Sequence, residues 1–151
     1  MALNTHITCV LNGTIESVKS VIPITLKIDH PYIPQQPIEK TSMSVHIAIK
    51  GTISSQIIIN GDKQVFSLIA ETMFGMTLDG DMLQSFTNEL GNMIAGNLAT
   101  SIANKGLEID IEPPAILEEY TQMAIFSNAL SLPVQISAFE SFTIVLLVQE
   151  Q

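Results

Sequence analysis

Three polar residues, Ser85, Glu89 and Asn92, follow one another at steps of four and three, the spacing that stacks side chains on a single helix face. A carboxylate and a neutral amide set one turn apart can divide a task. The carboxylate accepts a charge-assisted hydrogen bond from a cation. The amide offers a water molecule an acceptor oxygen and a neighbouring oxygen a donor nitrogen. Gly96, Ala99 and Ala103 continue the same face with small side chains, so a second surface could come close to the helix there. Gly91 and Gly96 each cost a helix about 1 kcal/mol relative to alanine, which points to a packing or docking reason. Spacing and helix face by themselves are met more simply by an ordinary solvated face.

The helix that must carry these residues is predicted over 81–104, with Asp81 near its N-terminus and Lys105-Gly106 closing it with a cation and a C-terminal glycine. At about 100° per residue, Leu83, Phe86, Leu90, Met93, Ile94 and Leu98 form one broad stripe away from the polar face and are expected in the core. An opening helix is predicted over 5–21 from Ile7, Val10, Leu11, Ile15, Val18 and Ile22, stopped by Pro23. Another over 63–74 follows the turn and cap residues Asn60-Gly61-Asp62. Strands are expected at 24–29, before a proline-rich loop through Pro31, Pro34 and Pro37, and at 43–50 and 52–59 as an antiparallel hairpin around Gly51. Further strands are expected at 107–112, ending at Pro113-Pro114, and at 122–126, 130–137 and 141–149. The last carries Phe142, Ile144, Leu146 and Val148 on one face and Val145 and Leu147 on the other. It should therefore be covered on both sides, by a helix layer, a second sheet or another subunit. Helices with mostly antiparallel strands make an α+β sandwich. No internal repeat is visible, and one domain over 1–151 is expected.

The chain has 151 residues, 46% of them hydrophobic, enough for one core without disulfides or a structural metal. Six Lys and Arg against fifteen Asp and Glu give a net charge of −9, which repels nucleic acid and anionic membrane. The single cysteine, Cys9, lies among apolar residues of the opening helix and reads as an inert buried thiol. The start of the chain has no cationic leader pattern. Its longest apolar run, Ile144 to Val148, is far below the roughly 20 residues a membrane span needs, so a cytoplasmic location is expected.

From Ser85 to Asn97 the sequence reads S-F-T-N-E-L-G-N-M-I-A-G-N. It resembles the signature of the CheC/CheX/FliY family: Asp or Ser, three residues, Glu, two residues, Asn, then a downstream proline. Glu89 to Asn97 is similar to the E-L-x-N-M-I-x-G-N phrase of CheX-like members. The likeness also takes in the opening helix, the Gly51 hairpin, the helix pair and the closing strands. Pro113 or Pro114 would supply the proline, one or two residues from the usual count. CheC-like members repeat the motif in the first helix, whereas here Glu16 is followed three residues later by Lys19, which points to the one-site CheX type.

This resemblance implies a CheC-like α/β sandwich and a phosphatase acting on the aspartyl phosphate of a CheY-like receiver domain. Asn92 would orient the attacking water, Glu89 would contact the receiver's active-site lysine, and Ser85, Gly96 and Ala99 would dock the substrate. The chain would bind no metal or cofactor itself, Mg²⁺ arriving with the receiver's acidic pocket. A homodimer joined through sheet strands is implied too, with no nucleic-acid or membrane partner. Two alternatives stand beside the enzyme: a non-catalytic adaptor for a receiver or flagellar-switch partner, and a structural subunit that buries Asn92 in its own dimer.

Other candidates read as structure. His6, His30 and His46 lie in different elements without ligand spacing. Asn60-Gly61-Asp62-Lys63 lacks a phosphate-loop pattern and reads as a turn. The methionines sit mostly at core spacing and are expected inside. Glu108, Asp110 and Glu112 alternate along a strand as a solvated face.

Overall fold

A computed structural model describes residues 2–33, 43–112, 115–116, 128–137 and 140–149. Among them are three helices, α1 (Ala2–Val21), α2 (Lys63–Phe74) and α3 (Gly80–Ala103). The strands are β1 (Lys27–Ile28), β2 (Met43–Gly51), β3 (Ser54–Gly61), β4 (Ile109–Ile111), β5 (Ala115–Ile116), β6 (Asn128–Gln135) and β7 (Ser141–Gln149). They form one sheet in the order β1-β6-β7-β3-β2-β4, with β5 also paired to β2. Every pairing is antiparallel. The chain is thus the expected α+β fold.

The sheet order reads alike from both ends. β3 and β7 pair at the centre, β2 and β6 flank them, and short strands close the edges. The order helix-then-strands in α1-β1-β2-β3 recurs in α3-β4-β5-β6-β7. A repeat invisible in the residues is therefore present in the connectivity, since a fold needs the burial pattern to recur and not the side chains.

Alternation along the strands divides the sheet's faces. Val45, Ile47, Ile57, Ile59, Ile144 and Leu146 belong to the main core with residues of α1, α2 and α3, while Ile58, Val145 and Leu147 bury together against Ala129 in a second cluster. The reverse face is covered within a single chain, so no second copy is needed to explain the doubly apolar β7.

The edges depart most from the sequence reading. Of 24–29, only Lys27 and Ile28 pair as a strand, while Ile24 and Leu26 pack half-buried on the core. The strand expected at 107–112 is confined to three residues, and β5 has no patterning to announce it. α1 starts at Ala2, earlier than its apolar spacing indicates, and β6 ends at Gln135. The strand expected at 122–126, the proline pair at 113–114 and the loop prolines 34 and 37 lie outside the described residues.

Four contacts set α3 in place. Gly91 faces the sheet so closely that a methyl group there would stand 3.0 Å from both Ile47 Cδ1 and Val45 Cγ1. From the other side, Ser17 Oγ donates to the Ile94 carbonyl at 2.6 Å, and Gly13 leaves room for Leu98. Thr87 Oγ1 lies 2.8 Å from the Leu83 carbonyl, to which it donates, and 3.0 Å from Met43 Sδ.

Gly51 ends β2 at φ 132°, a conformation other residues rarely adopt, and an added Cβ would meet the Glu108 carbonyl oxygen at 2.3 Å and Ile109 Cα at 2.9 Å. Both obstacles are backbone and cannot step aside. Gly51→Ala is expected to destabilise the protein by roughly 2 kcal/mol or more, read as a lower urea midpoint at unchanged slope. An unmoved midpoint would show that β4 does not depend on this close approach.

Candidate functional site

α3 buries Leu83, Phe86, Thr87, Leu90, Gly91, Ile94, Ala95, Leu98 and Ile102. This is a wider arc than the sequence stripe, because α3 packs against both α1 and the sheet. Small residues let both neighbours approach, so Thr87, Gly91 and Ala95 go inside. Met93, expected in the core, is 38% exposed. The general reading of methionines as core residues fails with it: Met43 is buried, but Met76 and Met82 are 54% and 60% exposed. An unbranched side chain ends up inside or outside according to what packs on it, and these three lie on the surface of α3 or of the loop before it.

The opposite arc carries the candidate site. Ser85, Glu89 and Asn92 are exposed, with Gly96 and Ala99 half-exposed and Ala103 exposed further along. The sequence-predicted residues therefore share one outward face. Among the described residues, neither Glu89 nor Asn92 spends its polar atoms on a hydrogen bond or ion pair, whereas nearby Gln84 bonds Asn88 and Asn97 bonds the Met93 carbonyl. No Lys or Arg occurs between Lys63 and Lys105, so Glu89 has no cation on its own helix.

A cavity of about 380 Å³ lies between α1 and α3 and is lined by polar residues including Glu16, Ser20, Asn97 and Lys105. There Glu16 Oε2 accepts from Ser101 Oγ at 3.3 Å. Glu89 and Asn92 are not part of that lining. Small ligands are held in concave sites, so an exposed carboxylate and amide outside that cavity suit a partner that brings its own pocket.

The other sequence candidates take structural places. His46 Nε2 lies 2.6 Å from Gln56 Oε1 across the β2–β3 hairpin. Glu112 pairs with Lys50, Cys9 is buried and free, and Asn60-Gly61-Asp62 leads from β3 into α2. Among the described residues no three His, Cys, Asp or Glu side chains gather as a metal-binding group.

The two glycines of α3 differ. A methyl group at Gly91 would press on β2, whereas one at Gly96 would have nothing within 4 Å. Packing inside the chain explains the first glycine and leaves the second without an internal reason.

Sheet order, the α1–α3 pair and an outward Glu-x-x-Asn define a protein of the CheC/CheX/FliY fold class. The family model for the chemotaxis phosphatase CheX matches residues 43–134, and the chain belongs to that family. It is similar to the CheY-P phosphatase CheX of Thermotoga maritima, 25% identical over 140 residues that cover 90% of each chain. Its fold is similar to CheX in a CheX–CheY–BeF3–Mg²⁺ complex from Borrelia burgdorferi, at TM-score 0.74 and 24% identity over 96% of this chain and 98% of the other. A chemotactic CheC-like protein from Shewanella oneidensis aligns at TM-score 0.79 and 16% identity over 99% of this chain and 100% of its own.

Gly96→Ala is expected to raise stability by up to about 1 kcal/mol, since the new methyl meets open space. Gly91→Ala should gain nothing or lose, its methyl pressing on Val45 and Ile47. Urea unfolding of both variants checks the pair, and equal shifts would contradict the packing distinction.

Proposed function

We propose that this protein is a phosphatase that hydrolyses the aspartyl phosphate of a CheY-type receiver domain by inserting Glu89 and Asn92 into the receiver's phosphorylation site. One observation carries the reading: a carboxylate and an amide, unpaired among the described residues, project together from an exposed helix face, in a chain of the CheX family. Neither group has a partner among the described residues, so the receiver must supply one for each.

In the reaction, water attacks phosphorus in line, the bond to the receiver's aspartate oxygen breaks, and inorganic phosphate leaves. Little covalent chemistry remains for a second protein, and positioning is what it can contribute. The Asn92 side-chain oxygen accepts from the attacking water while its nitrogen donates to a phosphoryl oxygen. Glu89 accepts from the receiver's active-site lysine and aligns the two proteins. Mg²⁺ enters with the receiver, whose carboxylates hold it. The Borrelia relative, found with CheY and Mg²⁺, supports this division of labour.

Ser85, Gly96 and Ala99 dock the receiver along the small-residue strip. The reading takes the chain as one domain over residues 1–151, working in the cytoplasm as a homodimer. Family resemblance alone supports the dimer. No helix among the described residues is long and apolar enough to cross a membrane.

Loss of phosphate from acetyl-phosphate-loaded receivers, above their intrinsic rate, tests the assignment. Asn92→Ala should lower kcat about a hundredfold or more with KM nearly unchanged, as removal of one transition-state hydrogen bond does. Glu89→Ala should raise KM and lower kcat together. An Asn92→Ala protein that turns over normally would overturn the role of the amide. A wild-type protein that binds receivers but hydrolyses none would favour the adaptor. Gly96→Ala should raise KM several-fold even though it stabilises the fold, which separates docking from folding.

A further inference from the structure

A shelf of apolar side chains borders the Glu89–Asn92 pair. Met82 is 60% exposed, Met93 38% and Phe74 59%. Phe74 meets Phe86 edge-on with ring centroids 5.6 Å apart, which ties the end of α2 to α3. Along α3, Met82, Phe86, Glu89 and Met93 follow at steps of four, three and four; Phe86 is buried, with Phe74 against it, so Met82, Phe74 and Met93 form the exposed row on a track adjoining Glu89. Single exposed apolar residues are ordinary on protein surfaces, but these are grouped beside the residues that carry the proposed chemistry.

We infer that this shelf is the apolar half of the receiver-docking surface and supplies affinity, while Glu89 and Asn92 supply alignment and chemistry. The inference rests on the phosphatase reading above. An asparagine side chain is short, so its amide reaches a phosphoryl group in a recessed pocket only if the receiver closes over α3. An ordinary interface buries about 800 Å² per partner, a patch of about 16 Å radius. At 1.5 Å rise per residue, Met82 lies about 15 Å along the axis from Asn92, with Met93 adjacent to it. A receiver seated on Asn92 therefore reaches the shelf.

Charge decides what such a contact must be made of. The receiver's phosphorylation pocket is acidic, and this chain carries a net charge of −9. Beyond the one lysine that Glu89 meets, electrostatics at that contact is adverse, and uncharged contact must hold the partners together. Methionine suits the task because its flexible, polarizable side chain adapts to a partner surface without demanding one shape.

The test is steady-state hydrolysis of a phosphorylated CheY-type receiver by the full chain, comparing wild type with the double variant Met82→Gln and Met93→Gln. Both positions are on the surface and glutamine keeps helix propensity, so folding is retained, as circular dichroism checks. Loss of the two apolar contacts should raise KM about tenfold, with kcat within about twofold of wild type. Met82→Ser alone should move KM in the same direction by less. Unchanged KM beside an active wild type overturns the shelf while leaving the phosphatase reading intact. Unchanged KM together with loss of a dimer in sedimentation assigns the shelf to a second copy of the chain, and equally overturns it. A wild type that hydrolyses no receiver removes the phosphatase reading and the shelf together.

Discussion

The rotational setting of α3 is the constraint on which the site depends. Each residue turns a helix by about 100°, so a slip of one position would carry Glu89 or Asn92 toward the flank and bring the buried Leu90 outward. The setting is held from two sides. Gly91 lies against Val45 and Ile47, and the Ser17 hydroxyl reaches the Ile94 carbonyl from α1. A large residue at either close approach would push the helix away from one neighbour, and dense interiors do not absorb such changes freely. The outward face is a consequence of how firmly the inward face is fitted.

That outward face invests little in its own folding. Glu89 and Asn92 are solvated and unpaired among the described residues, and Gly96 forgoes the helix propensity that alanine would bring. A solvated carboxylate and amide lose their water only when a partner arrives, and the partner's groups must replace it. The division between a rigid buried half and an unpaired exposed half keeps the two side chains available without strain in the helix beneath them.

The symmetric sheet order shows how one such helix is supported. α1 and α3 lie side by side, each followed by strands that meet at the β3–β7 centre. The two helices have diverged in what they present. α3 shows Ser85, Glu89 and Asn92 to solvent, while on α1 Glu16 accepts from Ser101 of α3. One member of the pair has become a brace for the other. The second apolar cluster, Ile58, Val145 and Leu147, is closed within the chain, so the fold's second face does not depend on a neighbour.

The spans of α2 and α3 to within a residue, the Gly51 hairpin, and the common face of Ser85, Glu89 and Asn92 are legible in the residues alone. All of these follow from local periodicity, turn chemistry and capping, which act over a few residues. The sequence also carries the family phrase from Glu89 to Asn97. Packing between distant elements puts Thr87, Gly91 and Ala95 inside and leaves Met93 out, since burial of a small or flexible residue depends on what approaches it. The same holds for the edge strands β1, β4 and β5, two or three residues each, which exist through pairing with distant partners. The unlike reasons for Gly91 and Gly96 belong here as well. A glycine in a helix looks the same in any sequence, and only its neighbours in space say whether it is there to be packed upon or to be approached.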